Sequence, residues 1–172
     1  MKNQRVKLLT LSGIFAAIIF ILTAYIHIPS HNGYTHIGDA FIYLSASILP
    51  LPYAISASVI GAGLADILSG FAIWTPATIV VKLFVALLFT SKKDNIICKR
   101  NVIGLFLACI ITFIGYYLYE AVFISNFAVA LLGLLGYLTQ SILSSIVYII
   151  IGKAFDKLNI RSKLLWWQLP TR

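Results

Sequence analysis

Apolar residues dominate the chain in long runs, and polar positions interrupt them at only a few places. From Leu8 to Ile28 almost every residue is hydrophobic. A second run follows the polar stretch "HNGYTHIGDA". The runs predict six α-helices at about 8–27, 38–50, 53–70, 76–90, 101–124 and 133–155. Pro50 and Pro52 punctuate the second and third, because proline lacks the amide that would continue a helix. Pro76 falls in a first turn, where the lost amide costs nothing. The run from 127 to 155 is too long for one span: at about 1.5 Å rise per residue it covers about 42 Å, more than the hydrocarbon core. Residues 127–135 are therefore expected to be partly loop or re-entrant, with the helix starting near Gly133 or Gly136.

Composition decides the solvent. Of 172 residues 60% are hydrophobic and 10% charged, against about 25% charged in a soluble domain. A chain of this size needs a polar exterior in water, so the excess points to lipid. Runs near 20 apolar residues suit bilayer helices. The predicted class is an all-α integral membrane protein, a single domain over 1–172 and multi-pass.

Charge sets the orientation. With six spans, both termini and the 91–100 loop share one side. That side holds Lys2, Arg5, Lys7, Lys92, Lys93, Lys99, Arg100, Lys153, Lys157, Arg161, Lys163 and Arg172, twelve of the 13 basic residues. By the positive-inside rule it is cytoplasmic. The formal charge of +8 is then a topology signal and calls for no nucleic acid. Trp166 and Trp167 fit an interfacial anchor. Cys98 and Cys109 have neither metal-site nor disulfide-framework spacing. The first apolar segment is long for a signal-peptide core and is expected to be retained.

The thirteenth cation, Lys82, lies about 9 Å inside the outer start of the fourth helix. A charge within a span is expensive and faces a cavity or a partner. Three acids sit at the same outer level: Asp39, Asp66 and Glu120. Structural pairing of Lys82 with Asp66 is one reading, yet it leaves two carboxylates without an ammonium. Stripes at helical spacing converge there too: Thr112, Tyr116, Tyr119, Glu120 and Phe123; Thr75, Thr78 and Lys82; Tyr137, Gln140, Ser141 and Ser144. Each stripe alone is compatible with interhelical hydrogen bonding, at about 0.6 kcal/mol per contact. Together they describe an outward-facing pocket with aromatic walls and a few polar groups. The outer loop 28–37 is its expected lid, with Asn32, Tyr34 and His36. His27, His31, His36 and Asp39 could also be grouped around a metal. Asp39 suits either a helix cap or a ligand contact.

The block "YTHIGDAFIYLSASILPLPYAISASVIGAGLADILSGFAIWTPATIVVKLFVALLF", with its motifs "HIGDA", "GAGLADILSG" and "PATIVVK" and with "GYYLYEAV" further on, resembles the substrate-binding S components of energy-coupling factor (ECF) vitamin transporters. Within them it most resembles the hydroxymethylpyrimidine/pyridoxine-type group, which shares a broad pattern with riboflavin S components. One departure is "LLGYLTQ", where relatives show a Pro/Asn-containing approach to the glutamine. The resemblance implies six helices with both termini inside, in a bacterial plasma membrane. It implies capture of a vitamin from outside and delivery together with a scaffold membrane subunit and two ATPase subunits. ATP is then used by the partners, with no cofactor in this chain and no enzymatic role.

Ring ligands of that class want stacking partners, for which Tyr34, Trp74, Tyr116 and Tyr137 are candidates. Glu120, Lys82, Gln140, Asn126 and Asp66 supply donors and acceptors; Asp39, His36 and Asn32 belong to the lid and its hinge. The family docks on its scaffold through small residues of the first helix, here Ser12/Ala16 and Gly13/Ala17, a pattern that lets helices approach closely. A stand-alone proton-coupled transporter or small channel is the rival reading. An intramembrane enzyme finds neither a metal motif nor a nucleophile–base pair.

Overall fold

The computed structural model describes residues 2–30 and 33–164. Helix α1 spans Lys2–Ala24, α2 Asp39–Ile48, α3 Leu51–Leu68, α4 Thr75–Leu88, α5 Lys99–Tyr119, α6 Phe127–Ala130, α7 Leu134–Lys157 and α8 Ile160–Leu164. Strands β1 (His27–Ser30) and β2 (Gly33–His36) join α1 to α2. Segment 28–37, expected as a loop, is thus mostly an antiparallel hairpin in which His27 pairs with His36 and Pro29 with Tyr34. His31 and Asn32 lie outside the described residues, as do Trp166 and Trp167.

Local chemistry sets the helix ends. Leu49 is extended and Pro50 precedes α3, so α2 stops and α3 starts within two residues. At the far end of α3, Gly70 adopts φ +83°. The Phe71 amide then bonds back to the Asp66 carbonyl at 2.8 Å. A left-handed glycine with this backward bond closes a helix and turns the chain sharply. The turn leads through a 3₁₀ segment, Ala72–Trp74, into α4. Helix α5 continues past Tyr119 as a π-helical turn, Glu120–Ile124. Asn126 then caps α6, its side-chain oxygen accepting from the Ala128 and Val129 amides. The stretch 127–133 is therefore a short helix followed by a 3₁₀ turn, Leu131–Gly133.

Helix α2 runs through the centre. Nine of its ten residues are buried, and α1, α3, α4 and α7 all pack on it. Around it the neighbours run α1–α3–α4–α5–α7. Small residues bring α1 and α3 together: a Cβ on Gly61 would lie 2.6 Å from the Ala16 carbonyl oxygen. Ser12 donates to the Tyr53 carbonyl across the same contact. Outer faces carry large exposed apolar side chains such as Phe106 and Leu135, as expected of lipid-facing helices. Among the described residues, four helical segments are long and apolar enough to cross a membrane: Gln4–Ala24, Leu51–Leu68, Lys99–Ile124 and Phe127–Lys157. Asp39–Ile48 and Ala72–Leu88 are shorter apolar helices.

The connection between α4 and α5 lies at the end opposite the hairpin and is pinned from inside. The Asn101 side-chain amide donates to Ser47 Oγ and to the Thr90 and Ile96 carbonyls, and its oxygen accepts from the Thr90 amide. Asp156 accepts from the Ile96 and Ile97 amides at 2.7 and 2.9 Å. Tyr43, Phe89 and Tyr148 cluster beneath this network.

Candidate functional site

A second group of buried polar residues gathers at the hairpin end, where the C-termini of α1, α3 and α5 meet the N-termini of α2, α4 and α7. Asp39 opens α2, and its carboxylate is fully buried. Lys82, about two turns into α4, is buried too and places Nζ 2.8 Å from Oδ1 and 2.9 Å from Oδ2 of Asp39. Gln140 of α7 donates to Oδ2 at 2.9 Å. This three-helix knot corrects two expectations. Lys82 is paired with Asp39 across the bundle, not with Asp66 in the adjacent hairpin of helices. Asp39 does not cap α2: the N-cap is Gly38, with no side-chain cap bond.

Tyr116 forms the aromatic side of the knot. Lys82 Nζ lies 5.2 Å from its ring centroid, within range of a cation–π attraction. Its hydroxyl shares a 2.9 Å bond with Thr78. Tyr137 stacks on it, with centroids 5.4 Å apart and an interplanar angle of 21°. Trp74 meets it edge-on at 5.9 Å.

The other two carboxylates each take a tyrosine. Tyr137 donates to Glu120 Oε2 at 2.7 Å, and Tyr34 of β2 donates to Asp66 Oδ1 at 2.6 Å. A phenol supplies a short bond to a carboxylate without adding a charge. Burial and the neighbouring Asp66 push the Tyr34 phenol well above its usual range, so it remains a donor. Its ring also packs on His27 and Phe71 at 4.7 and 4.8 Å, which fastens the hairpin over the ends of α3 and α4. His36 is buried, and desolvation lowers its imidazole to about 4 despite nearby Asp39. The ring is therefore neutral at pH 7, and its Nδ1 accepts from the Gly38 amide at 3.1 Å.

Hydroxyls complete the lining. Tyr43, Thr112, Ser141 and Ser144 are buried, and their side-chain oxygens have no hydrogen-bond partner among the described residues. Asp66 Oδ2 is in the same condition. Buried groups of this kind cost stability unless something satisfies them. Tyr43 and Thr112 stand one turn from Asp39 and Tyr116 on their own helices, and Ser141 and Ser144 follow Gln140 on α7.

Lys82, Gln140, Tyr116, Tyr137, Trp74, Glu120, Asp66, Asp39, His36 and Tyr34 are thus brought to one end of the bundle. Asn126 is not among the inward groups: it is exposed, and its side-chain oxygen is spent on the α6 cap. The predicted partner face also divides. Ser12 and Ala16 are turned against α3, whereas Gly13 and Ala17 are exposed, and a Cβ on Gly13 would meet nothing within 4 Å. Sequence reasoning missed Tyr43 and Phe71. Tyr43 stands four residues after Asp39, on the same face of α2, and that spacing could have found it. Phe71 is positioned by the Gly70 turn, which spacing does not reveal. Among the described residues no three His, Cys, Asp or Glu side chains gather as metal ligands.

A bundle of apolar helices with a buried cluster of polar and aromatic side chains at one end defines a multi-pass membrane protein. Residues 3–157 match the family model of the ECF-type riboflavin transporter, S component, and the chain belongs to that family. It is accordingly a substrate-binding component of an ECF vitamin transporter, a family of transport proteins and not of enzymes. No curated protein matches the chain.

Proposed function

We propose that the chain captures a monocyclic aromatic vitamin or precursor, of the pyridoxine or hydroxymethylpyrimidine kind, from outside a bacterial cell and delivers it with a scaffold subunit and two ATPase subunits. The observation that carries this reading is the buried polar cluster of Asp39, Lys82 and Gln140. It is walled by Tyr116 and Tyr137 and bordered by unpaired hydroxyls. A six-membered ring with hydroxyl and hydroxymethyl substituents presents a polar group on nearly every edge. The chamber presents donors and acceptors from α2, α4, α5 and α7, which suits such a ring. Tyr116 and Tyr137 supply the stacking surface, Glu120 and Asp66 accept from ring substituents, and Lys82 and Gln140 donate. The hairpin is the lid, held by Tyr34 on Asp66. The basic end is cytoplasmic under the positive-inside rule, and six spans place both termini there. Gly13 and Ala17 are the part of the small-residue pattern free to meet a scaffold helix.

Riboflavin is the second reading, favoured by the family match. Its three fused rings ask for a longer stacking surface than a single six-membered ring does. Titration calorimetry of the purified chain with pyridoxine, hydroxymethylpyrimidine and riboflavin decides between them. Tight binding of either small ring, weakened at least about tenfold (1.4 kcal/mol) by Glu120→Gln, is the expected result. Tight binding of riboflavin alone transfers the assignment to the second reading. Proton-driven uptake by the isolated chain in proteoliposomes would replace both with a stand-alone transporter.

A further inference from the structure

At the end of the bundle away from the hairpin, α5 begins beside the α4–α5 connection, and a groove of about 470 Å³ opens between them. Lys93, Lys99 and Arg100 stand on its rim, and Leu88, Ile103 and Leu107 line its wall. Gly104 makes the floor: with no side chain it leaves the groove open above the Leu88 carbonyl and the Phe89 ring, both about 3.5 Å from where a Cβ would sit. From Lys99 to Leu107 is eight residues of helix, about 12 Å along the membrane normal. Cations at one end and an exposed apolar strip below them match one kind of molecule. We propose that this groove binds one anionic phospholipid, with its phosphodiester headgroup on Lys93, Lys99 and Arg100 and an acyl chain along Ile103 and Leu107.

Charge favours this occupant. The acids nearest this end are engaged elsewhere: Asp156 accepts from the Ile96 and Ile97 amides, and Asp94 lies within the electrostatic reach of Arg161. Three cations at a membrane surface attract anionic lipid additively and neutral lipid hardly at all. The apolar wall adds what inorganic phosphate could not use. Ile103 is half exposed, so the strip is open to the bilayer from the side, the direction from which a lipid enters. This site is separate from the vitamin chamber and does not depend on which vitamin binds there.

The test is native mass spectrometry of the full chain in detergent micelles, titrated with phosphatidylglycerol or phosphatidylcholine of matched acyl chains. One phosphatidylglycerol is expected to bind at least about tenfold more tightly than phosphatidylcholine. Lys93→Ala/Lys99→Ala/Arg100→Ala should erase that preference. Lys153→Ala/Lys157→Ala/Lys163→Ala, which removes as much charge outside the groove, should leave it in place. Gly104→Leu should plug the groove and displace the lipid with the cations intact, which covers the case in which the triple variant fails to fold; Gly104→Ala should not. Equal binding of the two lipids overturns the proposal, and so does equal loss in both triple variants, which would mean diffuse surface charge. Competition by millimolar inorganic phosphate would make the site a bare anion site and overturn it as well. Loss of the coupling subunits with lipid binding unchanged would give the groove to a protein partner instead.

Discussion

Replacing Lys82 by methionine isolates the energetics on which the chamber depends. The ammonium is 0% exposed and touches both oxygens of a carboxylate that is 1% exposed. At 2.8–2.9 Å and an effective dielectric near 20, the bare attraction is about 6 kcal/mol. Desolvating both ions consumes much of it. The variant nevertheless loses far more than the residual net value. Methionine fills the space, but the Asp39 carboxylate is left buried with only the Gln140 amide. Stranding one member of a buried pair costs about 3–5 kcal/mol. Lys82→Met/Asp39→Asn removes the stranded charge and should recover most of that loss, giving a coupling energy of about 1–3 kcal/mol.

Reversible unfolding in mixed micelles, followed by tryptophan fluorescence, reads all three variants on one scale. Trp74 lies within 6.0 Å of Tyr116 and Tyr119 and reports on the chamber directly. A Lys82→Met cost below about 1 kcal/mol would refute the reasoning, because an exposed pair is worth no more than that. So would strict additivity in the double variant. Either result would mean that Asp39 and Lys82 are each solvated through an open chamber.

His36→Asn keeps an acceptor for the Gly38 amide, through the turn asparagine makes with a residue two further on, and removes a titrating group. Above pH 6.5 folded and unfolded chains both hold His36 neutral; between there and its folded value of about 4 only the unfolded chain takes up the proton. Wild-type stability should therefore fall with pH across that window by about 3 kcal/mol relative to the variant, and parallel pH profiles would remove His36 from the account. Gly38→Ala drives a methyl group into the Thr23 hydroxyl, with Ile19 O at 3.3 Å behind it, and should cost about 1–3 kcal/mol; Thr23→Ala, which loses a hydroxyl that has no partner among the described residues, should relieve part of that in the double variant. Asn126→Ala should cost about 1 kcal/mol of stability through the lost cap and leave vitamin affinity unchanged by calorimetry. Gly13→Leu should leave folding and vitamin binding intact, since its Cβ enters open space, while reducing co-purification with the scaffold subunit.

The helical, membrane-embedded character of the chain was legible because lipid demands long apolar runs, and prolines at 50, 52 and 76 mark where they break. The hairpin was not legible. Its strands are four residues each, Pro29 stands inside one of them, and no alternation of apolar and polar residues announces a half-buried sheet. That Lys82 and three acids lie toward the same end of the bundle was visible from spacing alone. Which acid it meets was not, because the choice depends on α2 lying at the centre of the bundle, and spacing within one helix carries no information about its neighbours. The role of Asn126 was written in "SNFAVA" as a cap ahead of an apolar turn. It passed unseen because 127–135 was read as partly irregular. Ser12 and Gly13 differ by one position, about 100° around α1, and only the packing of α1 on α3 shows which faces inward.

The bonds that hold the chamber together also set the terms on which it opens. On the proposed reading, a vitamin reaches Asp66 Oδ1 and Glu120 Oε2 only by replacing Tyr34 and Tyr137 as their donors. Hydrogen bonds to a charged acceptor are worth about 1.5–3 kcal/mol each, so an entering ring must return that much from its own hydroxyls before it gains affinity. A chain that populates the open chamber one time in a hundred binds a hundredfold more weakly than its open form does. Tyr34→Phe removes the hairpin's bond to Asp66 while keeping its packing on Phe71 and His27. It should raise the association rate of the vitamin in stopped-flow fluorescence and leave the stacking surface of Tyr116 untouched. An unchanged association rate would mean that Tyr34 moves with the ligand instead of making way for it. The phenol would then be part of the binding surface, and the hairpin would close over the vitamin without ever having excluded it.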